Sequence, residues 1–252
     1  MKNYKIIVQY DGTKYKGWQV QKSTDMTIQG KIQAVLKQLV AEEVEVIGSG
    51  RTDAGVHAYG QVANFHIKEG FSTEELLEYL NHYLPMDIAV TSIEEVEERF
   101  HSRYNAVEKT YVYRIHNSTI PNVFERKYVY DYPQELDIVR MKEASQYLVG
   151  THDFTSFCGN KKMKKSMVRT IFSIEIEKIG AEIRLTFIGD GFLQNMIRII
   201  TGTLIEVGSK QKEPIEVQQI LEKKNRALAG YTAPPQGLAL ERVNYATMVS
   251  NK

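Results

Sequence analysis

The stretch Gly48-Ser49-Gly50-Arg51-Thr52-Asp53-Ala54-Gly55-Val56-His57-Ala58 combines three glycines with an arginine, an aspartate and a histidine. It lies between two apolar runs, 44–47 and 61–67, each of which reads as a strand. Glycine frees the backbone to take positive φ or to let another group come close, so the stretch predicts a shaped loop. A carboxylate beside a cation stays ionised, which suits Asp53 to nucleophilic attack or proton abstraction rather than to acid catalysis. The plainer reading is a strand connection with a solvated Asp/Arg pair. No Gly-Lys-Ser/Thr follows the glycines and the next element is a strand, so the loop is not a phosphate-binding P-loop. Ala54-Gly55 after Asp53 likewise excludes a paired-aspartate phosphoacceptor. Asp53 and His57 could share a metal, but His66, His82, His101, His116 and His152 are scattered without zinc-like spacing.

The second stretch with unusual chemistry is Phe192-Leu193-Gln194-Asn195-Met196-Ile197-Arg198-Ile199-Ile200-Thr201-Gly202-Thr203-Leu204. As a helix it places Arg198 on one face with Gln194 and Asn195, four and three residues earlier respectively. An unpaired buried guanidinium is costly, so Arg198 either snorkels to solvent or meets a buried acid. Tyr111, in Lys109-Thr110-Tyr111-Val112-Tyr113-Arg114, is less distinctive, because strand tyrosines mostly serve the core or a sheet face. Asn160-Lys161-Lys162-Met163-Lys164-Lys165 reads as a solvated loop or a phosphate contact.

The elements that must position these residues follow from periodicity. Tyr4, Ile6, Val8 and Tyr10 alternate along a first strand over 2–10, which Asp11-Gly12 ends. Thr27 caps a helix with Ile28, Ile32, Val35, Leu36 and Leu39 at helical spacing. After the loop and its strands, Ser72 and Glu75 form a capping box for a helix with Leu76, Leu77 and Leu80, and 88–93 is a strand. The first hundred residues are thus a β-α-β-β-α-β series. The segment 94–106 carries six charged side chains and marks a boundary. Beyond it come a strand over 109–116, a helix capped by Asp137 and running through Leu148, and two strands meeting at Gly180 within 168–188. A helix over 192–207, a shorter one from Pro214 and a strand over 238–243 close the chain. The expected architecture is α+β: two sandwich domains, 1–104 and 105–252, each with helices on one face of a mainly antiparallel sheet, flanking a central cleft.

Composition narrows the class. The chain has 252 residues, 42% hydrophobic and 25% charged, which is ordinary for a globular protein. No apolar run approaches the length of a membrane span and the N-terminus lacks a signal-peptide pattern, so a soluble, cytoplasmic protein is expected. One cysteine, Cys158, excludes an internal disulfide and a cysteine-based metal cluster. A net charge of +1 points to no particular partner.

Six blocks in order, Tyr10-Asp11-Gly12 with Gly17-Trp18-Gln19-Val20-Gln21, residues 50–58, 109–113, Gly150-Thr151-His152-Asp153-Phe154, 191–198, and Ala233-Pro234-Pro235-Gln236-Gly237-Leu238, resemble the TruA family of tRNA pseudouridine synthases. The resemblance implies two RRM-like, ferredoxin-like domains of the pseudouridine synthase fold. It implies isomerisation of uridine to pseudouridine in the anticodon stem-loop of tRNA, typically at positions 38–40, by a homodimer that needs no metal or organic cofactor. By motif, Asp53 is the catalytic aspartate, Tyr111 the aromatic that packs on the target base, and Arg198 the cation that pairs with the aspartate. Arg51, His57 and Leu238 are expected on the substrate side, Arg51 at a phosphate or holding the loop. Family members often carry other residues where Gln194-Asn195 stands. The chemistry fits these types: the target is flipped out and restacked on an aromatic, while an ionised carboxylate either attacks or stabilises C1′ or removes the C2′ proton. Two other classes remain: a non-catalytic RNA-binding protein, against which the absence of a basic-aromatic RNP1 segment speaks, and a nucleoside hydrolase using Asp53.

Overall fold

In the computed structural model, residues 1–68, 70–160 and 166–246 are described. The lysine run 161–165 lies outside them. Contacts divide the chain into two compact units, Met1–Val107 with Leu240–Lys252, and Glu108–Ala239.

The first unit opens with β1 (Lys2–Tyr10), α1 (Ile28–Val40), β2 (Val46–Gly48), β3 (His57–Ile67), α2 (Thr73–Tyr83) and β4 (Ile88–Val96). β1 is central, antiparallel to β3 through pairs such as Tyr4↔Phe65 and to β4 through pairs such as Ile6↔Ile93. Its alternation has the expected consequence: Tyr4, Ile6 and Val8 are fully buried, as are Ile28, Ile32, Leu36, Leu76 and Leu80 from the two helices. Burying a leucine- or isoleucine-sized side chain contributes roughly 1.5–3 kcal/mol, so this face carries the unit's stability. Both helix starts are capped as the sequence requires. The Thr27 side chain accepts from the Gly30 N–H, and Ser72 and Glu75 form the reciprocal box.

The charged stretch 94–106 divides. β4 runs on to Val96, and the residues after it are stitched to the opposite sheet face by buried amides. Asn3 donates to the carbonyls of Glu97 and Phe100 at 3.1 and 2.9 Å. Asn64 donates to Asn3 at 3.0 Å and accepts from the Ser102 N–H at 2.9 Å. Ser102 also donates its hydroxyl to the Ile47 carbonyl. Each of these buried groups is satisfied by another, which is the condition for such a network to hold a segment rather than weaken it.

The second unit contains β5 (Ala106–His116), β6 (Tyr130–Asp131), α3 (Ile138–Gln146), β7 (Gly150–Asp153), β8 (Val168–Ile179), β9 (Glu182–Gly189), α4 (Met196–Gly208) and α5 (Pro214–Lys223). Its strands run β5-β9-β8-β7, antiparallel throughout, with the two-residue β6 parallel to the end of β5. The β8–β9 hairpin turns at Gly180, whose φ of +61° needs no side-chain accommodation. Asp137 caps α3 as expected, but the helix stops at Gln146 and Leu148 is buried beyond its end. β10 (Leu238–Tyr245) follows, and from Leu240 it groups with the first unit, whose sheet then reads β4-β1-β3-β10. The protein is α+β, as the sequence indicates. α4 differs at its start: it begins at Met196 and not at Phe192, because Asn195 adopts a left-handed φ of +59° that a continuing helix cannot contain.

Candidate active site

The loop between β2 and β3 is shaped from within by a turn and from outside by the β1–α1 connection. Asp53 occupies the first position of a four-residue turn closed by the Val56 N–H to the Asp53 carbonyl at 3.2 Å. Gly55, third in the turn, has φ of +77°, the position at which a type II turn calls for glycine. The side chain of Asp53, half-buried, therefore stands where the chain reverses.

The outer mould is the Tyr10-Asp11-Gly12 and Gly17-Trp18 pair of motifs. The Trp18 N–H donates to the Thr52 carbonyl at 3.1 Å and the Gly55 N–H to the Tyr15 carbonyl at 3.3 Å. The hydroxyls of Tyr10 and Thr52, both buried, share a bond of 2.8 Å. Burial raises the Tyr10 hydroxyl's pKa far above the ordinary tyrosine range, so it stays protonated. Gly12 and Gly17 let the two backbones touch: a Cβ on Gly12 would fall 2.0 Å from the Val56 carbonyl oxygen, and one on Gly17, at φ +97°, 2.7 Å from that of Thr52. The partnership of these two motifs is a feature that neither shows alone.

His57 is 6% exposed. Its Nδ1 accepts the Gly12 N–H at 3.1 Å, which places the imidazole proton on Nε2. Nδ1 also lies 3.3 Å from the Asp11 carboxylate, so the ring braces the Asp11-Gly12 turn. Arg51 is exposed, and its Nε donates to Gln19 at 2.9 Å. Gln19 is oriented in turn by Gln29, whose amide NH2 is committed to the Val46 carbonyl at 2.7 Å and whose oxygen accepts from Gln19 at 2.7 Å.

In the second unit, Tyr111 on β5 is 7% exposed and meets Phe192 edge to face at 5.3 Å. Arg198 is the third residue of α4, half-buried. Its Nε donates to the Ala233 carbonyl at 2.7 Å and its Nη1 to Asn195 at 3.0 Å, while the Ala233 N–H returns to the Arg198 carbonyl at 3.0 Å. The segment bearing Ala233 is itself held. Gly230 donates to Thr203 at 2.9 Å, Tyr113 to the Pro234 carbonyl at 2.7 Å, and Arg226 to the carbonyls of Ala229 and Gly230 at 3.3 and 3.0 Å. The Gln194 expected beside Arg198 lies outside α4, with its carbonyl accepting from the Gly159 N–H. Leu238, 6% exposed, starts β10 after a turn in which Gly237 packs on Tyr113. Thus Arg51 and Asp53 lie in one loop of the first unit, with His57 at the start of the strand that follows it, and Tyr111, Arg198 and Leu238 belong to the second unit. Among the described residues no group of three histidine, cysteine or acidic side chains could hold a metal, and no helix is long and apolar enough to cross a membrane.

Comparison with known proteins bears on both halves. The family model described as tRNA pseudouridine synthase matches residues 6–105 and 144–246. The tRNA pseudouridine synthase A of Bacillus sp. (strain KSM-64) is 52% identical over 245 residues, 97% of this chain and all of that one. Proteins called tRNA pseudouridine synthase A 2 in Bacillus anthracis and tRNA pseudouridine synthase A 1 in Clostridium tetani are 48% and 47% identical over the same spans. Among solved structures, an archaeal box H/ACA sRNP complex aligns with 81% of this chain and 43% of its own at 14% identity and a TM-score of 0.32, too slight a likeness to argue from. With matches that run through both the Asp53 loop and the Arg198 helix, the chain belongs to the tRNA pseudouridine synthase family.

Proposed function

We propose that the protein isomerises uridine to pseudouridine in the anticodon stem-loop of tRNA, at positions 38–40. In this reading Asp53 acts at the ribose of an extruded uridine. The N1–C1′ bond breaks, the uracil turns, and C5 bonds to C1′ while the C5 proton is released and N1 is protonated. Tyr111 packs on the extruded base, offsetting part of the few kcal/mol that unstacking costs. Arg198 supplies the positive charge that keeps the reacting carboxylate ionised, and Arg51 and Leu238 contact the RNA. His57 acts as a brace beneath the loop. The observation that carries the reading is the fixation of Asp53: a half-buried carboxylate at the first position of a glycine turn, with its neighbours on both sides bonded to the β1–α1 connection.

Replacing Asp53 with Asn tests it. Pseudouridine formation, read by mass spectrometry of digested tRNA, is expected to fall by ~10³-fold or more, with tRNA affinity retained within about threefold. Turnover that survives the substitution refutes the role of Asp53, and release of free uracil in place of pseudouridine would identify a hydrolase. We further propose that the active species is a homodimer, which light scattering on the purified protein checks.

A further inference from the structure

Beside the Asp53 loop, within the first unit, is a cavity of about 250 Å³ whose walls include Trp18, Gln19, Arg51, His101, Arg103 and Tyr104. Its residues have a common character. Trp18, 1% exposed, is fixed in the wall, and the approach of its indole to Gly48 leaves no room for a Cβ there. Tyr104 is 78% exposed, an aromatic ring given to solvent in a chain that buries most of its large apolar side chains. Its ring rests on that of His101, with centroids 4.2 Å apart and planes 33° from parallel.

The turn that carries these groups is rigid. Ser102 at its base is fully buried and bonded to Asn64 and to the Ile47 carbonyl. Asn105 closes it, accepting the His101 N–H at 2.7 Å and returning its own N–H to the His101 carbonyl at 3.0 Å. The Nδ1 of His101 accepts the N–H groups of Arg103 and Tyr104 at 3.1 and 3.3 Å, so the imidazole proton is on Nε2. Arg51, also in the wall, is held by the Gln29–Gln19 relay. An exposed ring on a hydrogen-bonded turn, with two arginines in the same cavity wall, is the combination that holds single-stranded nucleic acid: a π-face for a base and cations for its phosphate. Glu45, also in the wall, subtracts from the positive charge.

We propose that this cavity is a second nucleotide subsite, which takes a nucleotide flanking the reacting uridine, its base on Tyr104 and its phosphate between Arg51 and Arg103. The inference rests on the proposed activity for the identity of the RNA, and on Arg51 standing two residues from Asp53 for the word flanking.

The test uses the full chain, a labelled anticodon stem-loop RNA followed by fluorescence anisotropy, and pseudouridine formation on the same RNA. Tyr104→Ala is expected to raise Kd about tenfold, and to lower kcat/KM by the same factor through KM. Tyr104→Phe keeps the ring and restores wild-type values. Arg103→Ala is expected to reduce the slope of log K against log salt by about 0.7. Because the ring is exposed, the melting temperature of Tyr104→Ala stays within about 2 °C of wild type, as for a surface change. A Kd for Tyr104→Ala within twofold of wild type, or a Tyr104→Phe variant as weak as Tyr104→Ala, overturns the subsite. Since binding is measured apart from turnover, a wild-type protein that binds this RNA through Tyr104 but forms no pseudouridine refutes the proposed activity and leaves the subsite standing.

Discussion

Gly17→Ala is the substitution that separates the moulding of the Asp53 loop from ordinary stability. The added Cβ would lie 2.7 Å from the Thr52 carbonyl oxygen, 3.2 Å from the Asp53 carbonyl carbon and 3.3 Å from the Ala54 nitrogen, all backbone atoms. Ordinary contact begins at 3.4 Å, so the loop or the β1–α1 connection must give by several tenths of an ångström, and the Trp18 N–H to Thr52 bond lies in the way. The φ of +97° adds a conformational cost on the order of 1–2 kcal/mol for any residue with a side chain. Together these predict a destabilisation of roughly 2–4 kcal/mol. Displacement of a reacting group by even an ångström can cost ~10²-fold in rate, so kcat is expected to fall about 10- to 100-fold per folded molecule.

The control is Gly180→Ala, at the β8–β9 turn. Its φ is +61°, but an added Cβ meets nothing within 4 Å, so it carries the backbone strain without pressing on any neighbour. It should cost roughly 1 kcal/mol and leave kcat unchanged. Both variants are assayed for pseudouridine formation at a temperature where circular dichroism shows each to be folded. If Gly17→Ala is then as active as Gly180→Ala, close packing of the β1–α1 connection does not position Asp53, and the argument fails. Gly12→Ala is the less informative choice, because a 2.0 Å approach to the Val56 oxygen threatens folding itself.

Two further substitutions probe the second unit. Asn195 holds a left-handed φ and makes no capping hydrogen bond with its side chain, so Asn195→Gly removes the 3.0 Å bond to Arg198 while easing the backbone; melting temperature should hold or rise, kcat should fall about 3- to 10-fold, and an unchanged kcat would show that Asn195 does not position Arg198. Glu182 is held below the usual glutamate range, chiefly by hydrogen bonds from Arg114, with Arg184 adding to them. A depressed carboxyl stabilises the fold fully above its unfolded pKa of about 4.3 and loses that contribution as pH falls through its folded value. Melting curves of wild type and Glu182→Gln should therefore be separated at pH 7 and converge as pH falls below the folded value, whereas a constant offset would assign the loss to something other than the charge.

What the sequence revealed about this fold is what short-range physics encodes. The Thr27 and Ser72 caps, the alternation along β1 and the turn at Gly180 each depend on residues a few positions apart, and each is where the pattern puts it. The start of α4 was not legible, because Phe192 and Leu193 continue the apolar pattern past the point where Asn195 breaks the backbone conformation. β6, two residues long, and β7, four, are too short for periodicity to register. The role of the 97–105 segment was hidden for another reason: its anchors, Asn3 and Asn64, lie 94 and 38 residues from the groups they bind. In the loop, Asp53 stood out by residue type, whereas Gly12 and Gly17 act through a close approach of two backbones that no local spacing announces.

Arg198 illustrates how a cost can identify a purpose. Helix N-termini favour anions, and a cation in the first turn works against the helix dipole by roughly 0.3–1 kcal/mol. Arg198 is the third residue of α4, yet the chain spends a carbonyl, an asparagine in a left-handed conformation and a bonded segment around Ala233 to hold its guanidinium there. A helix selected for stability alone would carry an acid or a leucine at that position. The same logic applies to the Asp53 loop, where glycines, usually a source of freedom, are used at contacts so close that they remove it. Both features trade local stability for the placement of one charged group, and that shared pattern, more than the residue types, is what the proposed isomerisation requires.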